Sequence, residues 1–171
     1  IAYLERLLAR HPAERGAHVT VVDISDTMLS IFRRRIAGRT FDHPVRIVTS
    51  DIFAFEEFES FDMVFANFFL NVFSPRVVLD LERHLARLVR PGGALIVGDF
   101  CLPSKGGVSK FFQNLYWYIA DVVFFLSARN ALHPIYDYPG HLRNLGLVIE
   151  EIRYFRAFFD QRYYSILARK R

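Results

Sequence analysis

The chain has 171 residues, 52% of them hydrophobic, which supports one domain with a real core and excludes a disordered chain. Its single cysteine, Cys101, excludes a disulfide framework or a thiolate metal site and suits a reducing cytoplasm. The net charge is only +4, concentrated in Arg33-Arg34-Arg35 and Arg169-Lys170-Arg171, so no phosphate-tracking groove and no nucleic-acid partner is expected.

The elements follow in chain order. Leu4, Leu7 and Leu8 share one face of a first helix over residues 2–10, ended by His11-Pro12. Val19 to Asp23 is a continuous apolar run, as expected of a strand covered on both faces. Ser25 caps a second helix with Leu29, Phe32 and Ile36 on its buried side. Val45 to Val48 is a short strand followed by Ser50-Asp51, and Phe61 to Ala66 is another that runs into Asn67. Ser74-Pro75 starts the clearest helix, with Val78, Leu81, Leu85 and Leu88 as its buried stripe. Pro91-Gly92-Gly93 is expected to stop that helix, and Ala94 to Gly98 is a strand delivering Asp99. Tyr138-Pro139-Gly140 marks a turn near a short helix that Gly146 closes. Val148–Ile152 and Tyr163–Leu167 are two closing strands, antiparallel at a sheet edge.

Strands alternating with helices predict an α/β, doubly wound, mainly parallel sheet with an antiparallel final strand. Ligands in such sheets bind beyond the carboxyl ends of the strands. Asp23, Asp51, Asn67 and Asp99 occupy those ends. In nucleotide-binding α/β folds a carboxylate in the position of Asp23 takes the ribose hydroxyls, roughly 20 residues beyond a glycine-rich turn. Counting back places that turn at or just before Ile1, so the first strand and its glycine loop are expected to be missing from this chain.

The order of motifs resembles the class I S-adenosylmethionine-dependent methyltransferases. The stretches that carry the resemblance are Val21-Val22-Asp23-Ile24-Ser25 with Met28-Leu29, Ser50-Asp51-Ile52, Phe61-Asp62-Met63-Val64, Leu88-Val89-Arg90-Pro91-Gly92-Gly93 and the closing strand from Tyr163 to Arg169. The resemblance implies a Rossmann-like methyltransferase fold that binds S-adenosylmethionine. It implies that Asp23 binds the ribose hydroxyls and that Ile24 and Met28 pack near the adenine. Asp51 would accept from the adenine amino group, Ile52 would lie against the ring, and Asn67 would lie near the methionine part and the incoming substrate. The absent first strand belongs between the strands ending at Asp23 and Ala66, so a gap in the sheet is expected there.

Within that family the chain looks most like the branch acting on quinone precursors and other lipid-like molecules. An aromatic-rich insertion over residues 102–132 is expected to form a lid that buries a hydrophobic small-molecule acceptor and shuts out water. Core packing is the competing explanation for aromatics at helical spacing. His133, Tyr136 and His141 are candidates for a general base on a phenol or enol. No two histidines show metal-ligand spacing, so no metal is expected. The expected location is cytoplasmic, with contact to a membrane surface and the oligomeric state left open. Two other functions compete: a non-catalytic methyltransferase-like binding module, and an NAD-dependent oxidoreductase, which shares the acidic residue after the second strand.

Overall fold

The computed structural model describes residues 18–37, 44–101, 135–157 and 160–171. The helix expected over residues 2–10, the aromatic insertion and His133 lie outside them. The chain divides into two compact units, residues 1–55 and 56–171.

The first unit is built from β1 (Val19–Asp23), helix α1 (Asp26–Ile36) and β2 (Val45–Thr49). β1 and β2 pair in parallel from Val19↔Val45 to Asp23↔Thr49. The β-branched residues of both strands favour this extended pairing. Ser25 sits in an extended conformation and its hydroxyl accepts from the Met28 amide, as an N-cap should. Asp26 in the first turn and Arg33, Arg34 and Arg35 in the last oppose the helix dipole at each end. Thr49 Oγ donates to Asp26 at 2.9 Å and ties the end of β2 to the start of α1. Leu29 is buried, while Phe32, Ile36 and the residues of β1 are only half-buried.

The second unit carries a four-stranded sheet in the order β3-β4-β6-β5, where β3 is Phe61–Asn67, β4 Val89–Phe100, β5 Val148–Ala157 and β6 Asp160–Arg169. β3 and β4 are parallel, and β6 runs antiparallel to both β4 and β5. Among the described residues, β1 and β2 share no ladder with this sheet.

Helix α2 (Pro75–Leu88) buries Val78, Leu81, Leu85 and Leu88, the stripe read from the sequence. Each such side chain contributes about 1.5–3 kcal/mol by leaving water. Ser74 has the extended backbone of a cap, yet its hydroxyl makes no capping bond. The stop differs from the sequence reading. The helix ends at Leu88, and β4 begins at Val89, paired with Phe61, before the Pro-Gly-Gly segment. Pro91-Gly92-Gly93 is a bend inside the strand. Gly92 has φ +77, and a Cβ on Gly93 would lie 2.8 Å from the Asp62 carbonyl oxygen, so glycine is needed at both positions.

Helix α3 (Tyr138–Asn144) starts at the expected turn, with the Asp137 carboxylate accepting from the Gly140 amide. Gly146, at φ +81, closes it. Tyr138 and Leu142 face a core that includes Leu70, Leu81, Val97 and Ile166. Cys101 is buried, as a small apolar residue would be.

Candidate functional site

Asp23 and Asp51 meet at the carboxyl edge of the first unit. Asp23 is opposite Thr49 in the ladder, and the Ser50 amide donates to the Asp23 carbonyl. Two residues of strand rise separate the carboxylates, so their backbones lie about 8 Å apart. Asp23 Oδ1 accepts from the Ser25 amide at 2.8 Å, which sets its rotamer. Asp51 Oδ1 accepts from the Phe53 amide at 2.8 Å and caps the short 3-10 turn Ile52–Ala54. Among the described residues, neither Oδ2 takes part in a hydrogen bond.

Apolar side chains surround this edge in the open. Ile24 is 70% exposed and Met28 56%, Phe53 is also exposed, and Ile52 is half-buried. A ribose diol offers two donors that one carboxylate can accept, and an adenine ring needs apolar faces with an acceptor for its amino group. The residues at this edge fit both demands. Phe53 is an addition that the sequence reading missed, although its place beside Ile52 was the signal available.

At the carboxyl edge of the second unit, exposed Asn67 ends β3 opposite Gly98 of β4. Its side chain lies over that glycine: a Cβ on Gly98 would come within van der Waals overlap of Asn67 Oδ1. The next residue, Phe68, has φ +49 and donates its amide to the Gly98 carbonyl at 2.8 Å. Asp99, expected at a ligand-facing strand end, is instead wholly buried. Its Oδ1 accepts from the Phe100 amide and its Oδ2 from the Tyr138 hydroxyl, each at 2.8 Å. The reason is the alternation of the strand, which turns Asp99 toward the helices and away from the edge. Burial, followed by the Asp99 charge, holds the Tyr138 phenol far above its ordinary range. Tyr138 is therefore a permanent donor at neutral pH.

Two of the proposed bases, Tyr136 and His141, are brought together, with ring centroids 6.3 Å apart. The Tyr136 hydroxyl donates to the Phe73 carbonyl at 2.6 Å, and burial, then Glu82, raises its pKa. His141 Nδ1 lies 3.1 Å from both carboxylate oxygens of Glu82 on α2. Glu82 is fully buried, and its Oε2 makes no hydrogen bond. Desolvation raises the pKa of Glu82, opposed by its contact with His141. Glu82 was missed in the sequence although the signal was there. It stands four residues after Val78 and three before Leu85, inside the buried stripe.

Among the described residues no group of His, Cys, Asp and Glu could hold a metal, and no helix is long and apolar enough to cross a membrane.

Residues 4–93, more than half of the chain, match the family model described as "Methyltransferase domain". The chain belongs to that family. Its cofactor is S-adenosylmethionine, in agreement with the motif order. A demethylmenaquinone methyltransferase of Clavibacter sepedonicus is 40% identical over 94 residues, 53% of this chain and 36% of that protein. A carboxy-S-adenosyl-L-methionine synthase of Aeromonas salmonicida is 32% identical over 92 residues, 54% of this chain and 37% of that protein. This methyltransferase-family chain thus spans well under half the length of the curated relatives it matches. Among solved structures, an O-methyltransferase family protein from Burkholderia thailandensis superposes with a TM-score of 0.66 at 23% identity, covering 98% of this chain and 47% of that one. A structure titled "A Pericyclic Reaction enzyme" gives 0.69 at 9% identity, over 99% of this chain and 40% of that one. These structural likenesses show the fold alone.

Proposed function

We propose that the protein transfers the methyl group of S-adenosylmethionine to a hydrophobic small molecule, of the quinone-precursor or lipid-like class. The observation that carries the reading is the exposed edge where Asp23 and Asp51 each keep one carboxylate oxygen uncommitted amid Ile24, Met28 and Phe53. In this reading Asp23 holds the ribose hydroxyls, Asp51 receives the adenine amino group, and Ile24, Met28 and Ile52 pack on the base. Asn67 faces the methionine part and the acceptor. The whole chain acts as one methyltransferase domain. The 40% identity to a demethylmenaquinone methyltransferase supports the acceptor class.

The cofactor supplies an activated methyl on a sulfonium, whose charge dissipates during transfer. The chain's residues have to orient the donor and acceptor in line and exclude water. Where the acceptor is a phenol or enol, a base must take its proton. His133 lies outside the described residues; of Tyr136 and His141, the geometry favours His141, because the Glu82 contact at Nδ1 orients the ring. Tyr136 is already a donor to Phe73.

The test is calorimetric titration of S-adenosylhomocysteine into the wild-type chain and Asp23→Ala. Removing a carboxylate that accepts two hydroxyls should weaken binding by roughly 10- to 150-fold for each charge-assisted bond lost, at about 1.5–3 kcal/mol apiece. Equal affinity for both proteins would refute the site. Tighter binding of a nicotinamide dinucleotide would revive the oxidoreductase reading.

A second reading has an observation of its own. The 32% identity to a carboxy-S-adenosyl-L-methionine synthase extends over 54% of the chain. A shared fold does not impose one chemistry. Incubation with methyl-labelled cofactor separates the two: label appears in the acceptor for methyl transfer, and stays on a modified cofactor for the alternative.

A further inference from the structure

Phe68 adopts a backbone conformation that its burial does not account for. Its φ of +49 is left-handed, a region that bulky side chains rarely enter. A strained aromatic is ordinarily held there by a packed ring, yet Phe68 is 53% exposed. Such strain at an exposed residue points toward function. Its amide is fixed by the Gly98 carbonyl, at the point where β3 ends beside β4.

The conformation carries the ring to two others. Phe100 and Tyr163 face each other across the antiparallel β4–β6 ladder, with centroids 5.1 Å apart. Phe68 meets both edge-on, at 5.4 and 5.9 Å. All three rings are half-buried or exposed. They stand at the carboxyl ends of β3 and β4, the side of an open α/β sheet that receives ligands. Immediately before Phe68, the exposed side-chain amide of Asn67 offers a donor and an acceptor at the same strand end.

We propose that Phe68, Phe100 and Tyr163 form the platform on which a flat, hydroxylated aromatic acceptor stacks, with the Asn67 amide meeting its oxygen. The assignment rests on the methyl-transfer reading and narrows its acceptor, within the quinone-precursor or lipid-like class, to a planar ring rather than a saturated chain. A saturated lipid chain would gain burial on this surface but no ring–ring contact. Aromatic pairs add enough beyond burial to matter, up to roughly tenfold in affinity for each good contact.

The test uses β-naphthol as the planar probe and decahydro-β-naphthol as its saturated counterpart, titrated into the whole chain. Phe68→Asn removes the ring and keeps a residue that tolerates the left-handed backbone. Tyr163→Leu is the second variant, keeping apolar bulk without the aromatic face. S-adenosylhomocysteine is titrated into each protein in parallel. The expected result is that each variant loses about tenfold in affinity for β-naphthol. The saturated probe should bind the wild type about tenfold more weakly than β-naphthol and be indifferent to Tyr163→Leu, which keeps the apolar bulk. Unchanged β-naphthol affinity in both variants, or equal binding of the two probes, overturns the platform. Failure of the wild type to bind S-adenosylhomocysteine would instead count against the methyl-transfer reading, and the β-naphthol result would still decide the platform by itself.

Discussion

Tyr138→Phe removes a single oxygen from a fully buried polar contact of the second unit. The Tyr138 hydroxyl donates to Asp99 Oδ2 at 2.8 Å, and both residues have no exposed surface. Phenylalanine keeps the ring, its edge contact with Tyr136 at 5.8 Å and its tilted contact with Tyr164 at 6.4 Å, so the packing term barely changes. What changes is the solvation of Asp99. Its Oδ1 keeps the Phe100 amide, while Oδ2 loses the Tyr138 hydroxyl. A hydrogen bond to a charged group contributes about 1.5–3 kcal/mol, and that is the expected loss. In a chain of this length it corresponds to a fall in Tm of roughly 3–12 °C. Urea unfolding followed by circular dichroism reads the loss as a lower midpoint with an unchanged slope. Tyr154→Phe is the control, since Tyr154 is 56% exposed and its stacking on Tyr164 survives the change. Tyr138→Phe within about 0.5 kcal/mol of the wild type would refute the reasoning, because surface-like changes fall in that band.

Glu82 yields a pH prediction. Its pKa is raised above the ordinary 4.5 by burial, with His141 pulling it down and Tyr136 and Tyr138 also facing it. The folded protein thus holds this proton more tightly than the unfolded chain does. The stability from that proton is fully present below pH 4.5 and is lost as pH rises through the raised value. Glu82→Gln should flatten this fall, read as urea midpoints across the acid-to-neutral range, and an identical slope in both proteins would contradict it. Gly98→Ala should displace the Asn67 side chain, because its Cβ would overlap Asn67 Oδ1. Asn67 is exposed and can swing aside, so the stability cost should stay near 1 kcal/mol or below. Titration of S-adenosylhomocysteine or β-naphthol should nonetheless show weaker binding, and unchanged binding of both would remove Asn67 from the site.

The first unit was legible because its signals are local. The apolar run ending at Asp23, the Ser25 cap and the Asp51 turn each rest on residues a few positions apart, and the structure has the same caps and turns. The stripe of α2 was legible for the same reason, since helical periodicity requires no partner to be known. The start of β4 was misread because it depends on Val89 pairing with Phe61, 28 residues earlier, which outweighs the local breaking tendency of Pro91-Gly92-Gly93.

The base candidates show the same division from the other side. Tyr136 and His141 could be named from sequence, but not their partners Phe73 and Glu82, which lie 63 and 59 residues away. Asp99 looked like a ligand-facing residue until Tyr138 and the core claimed both its oxygens. By itself, then, the order of residues determined the family and the side chains available at the carboxyl edge of the first unit. Only the tertiary structure decided which polar groups are consumed inside and which face outward, because a carboxylate or a phenol has the same local signature in either role and differs only in what the folded chain brings against it.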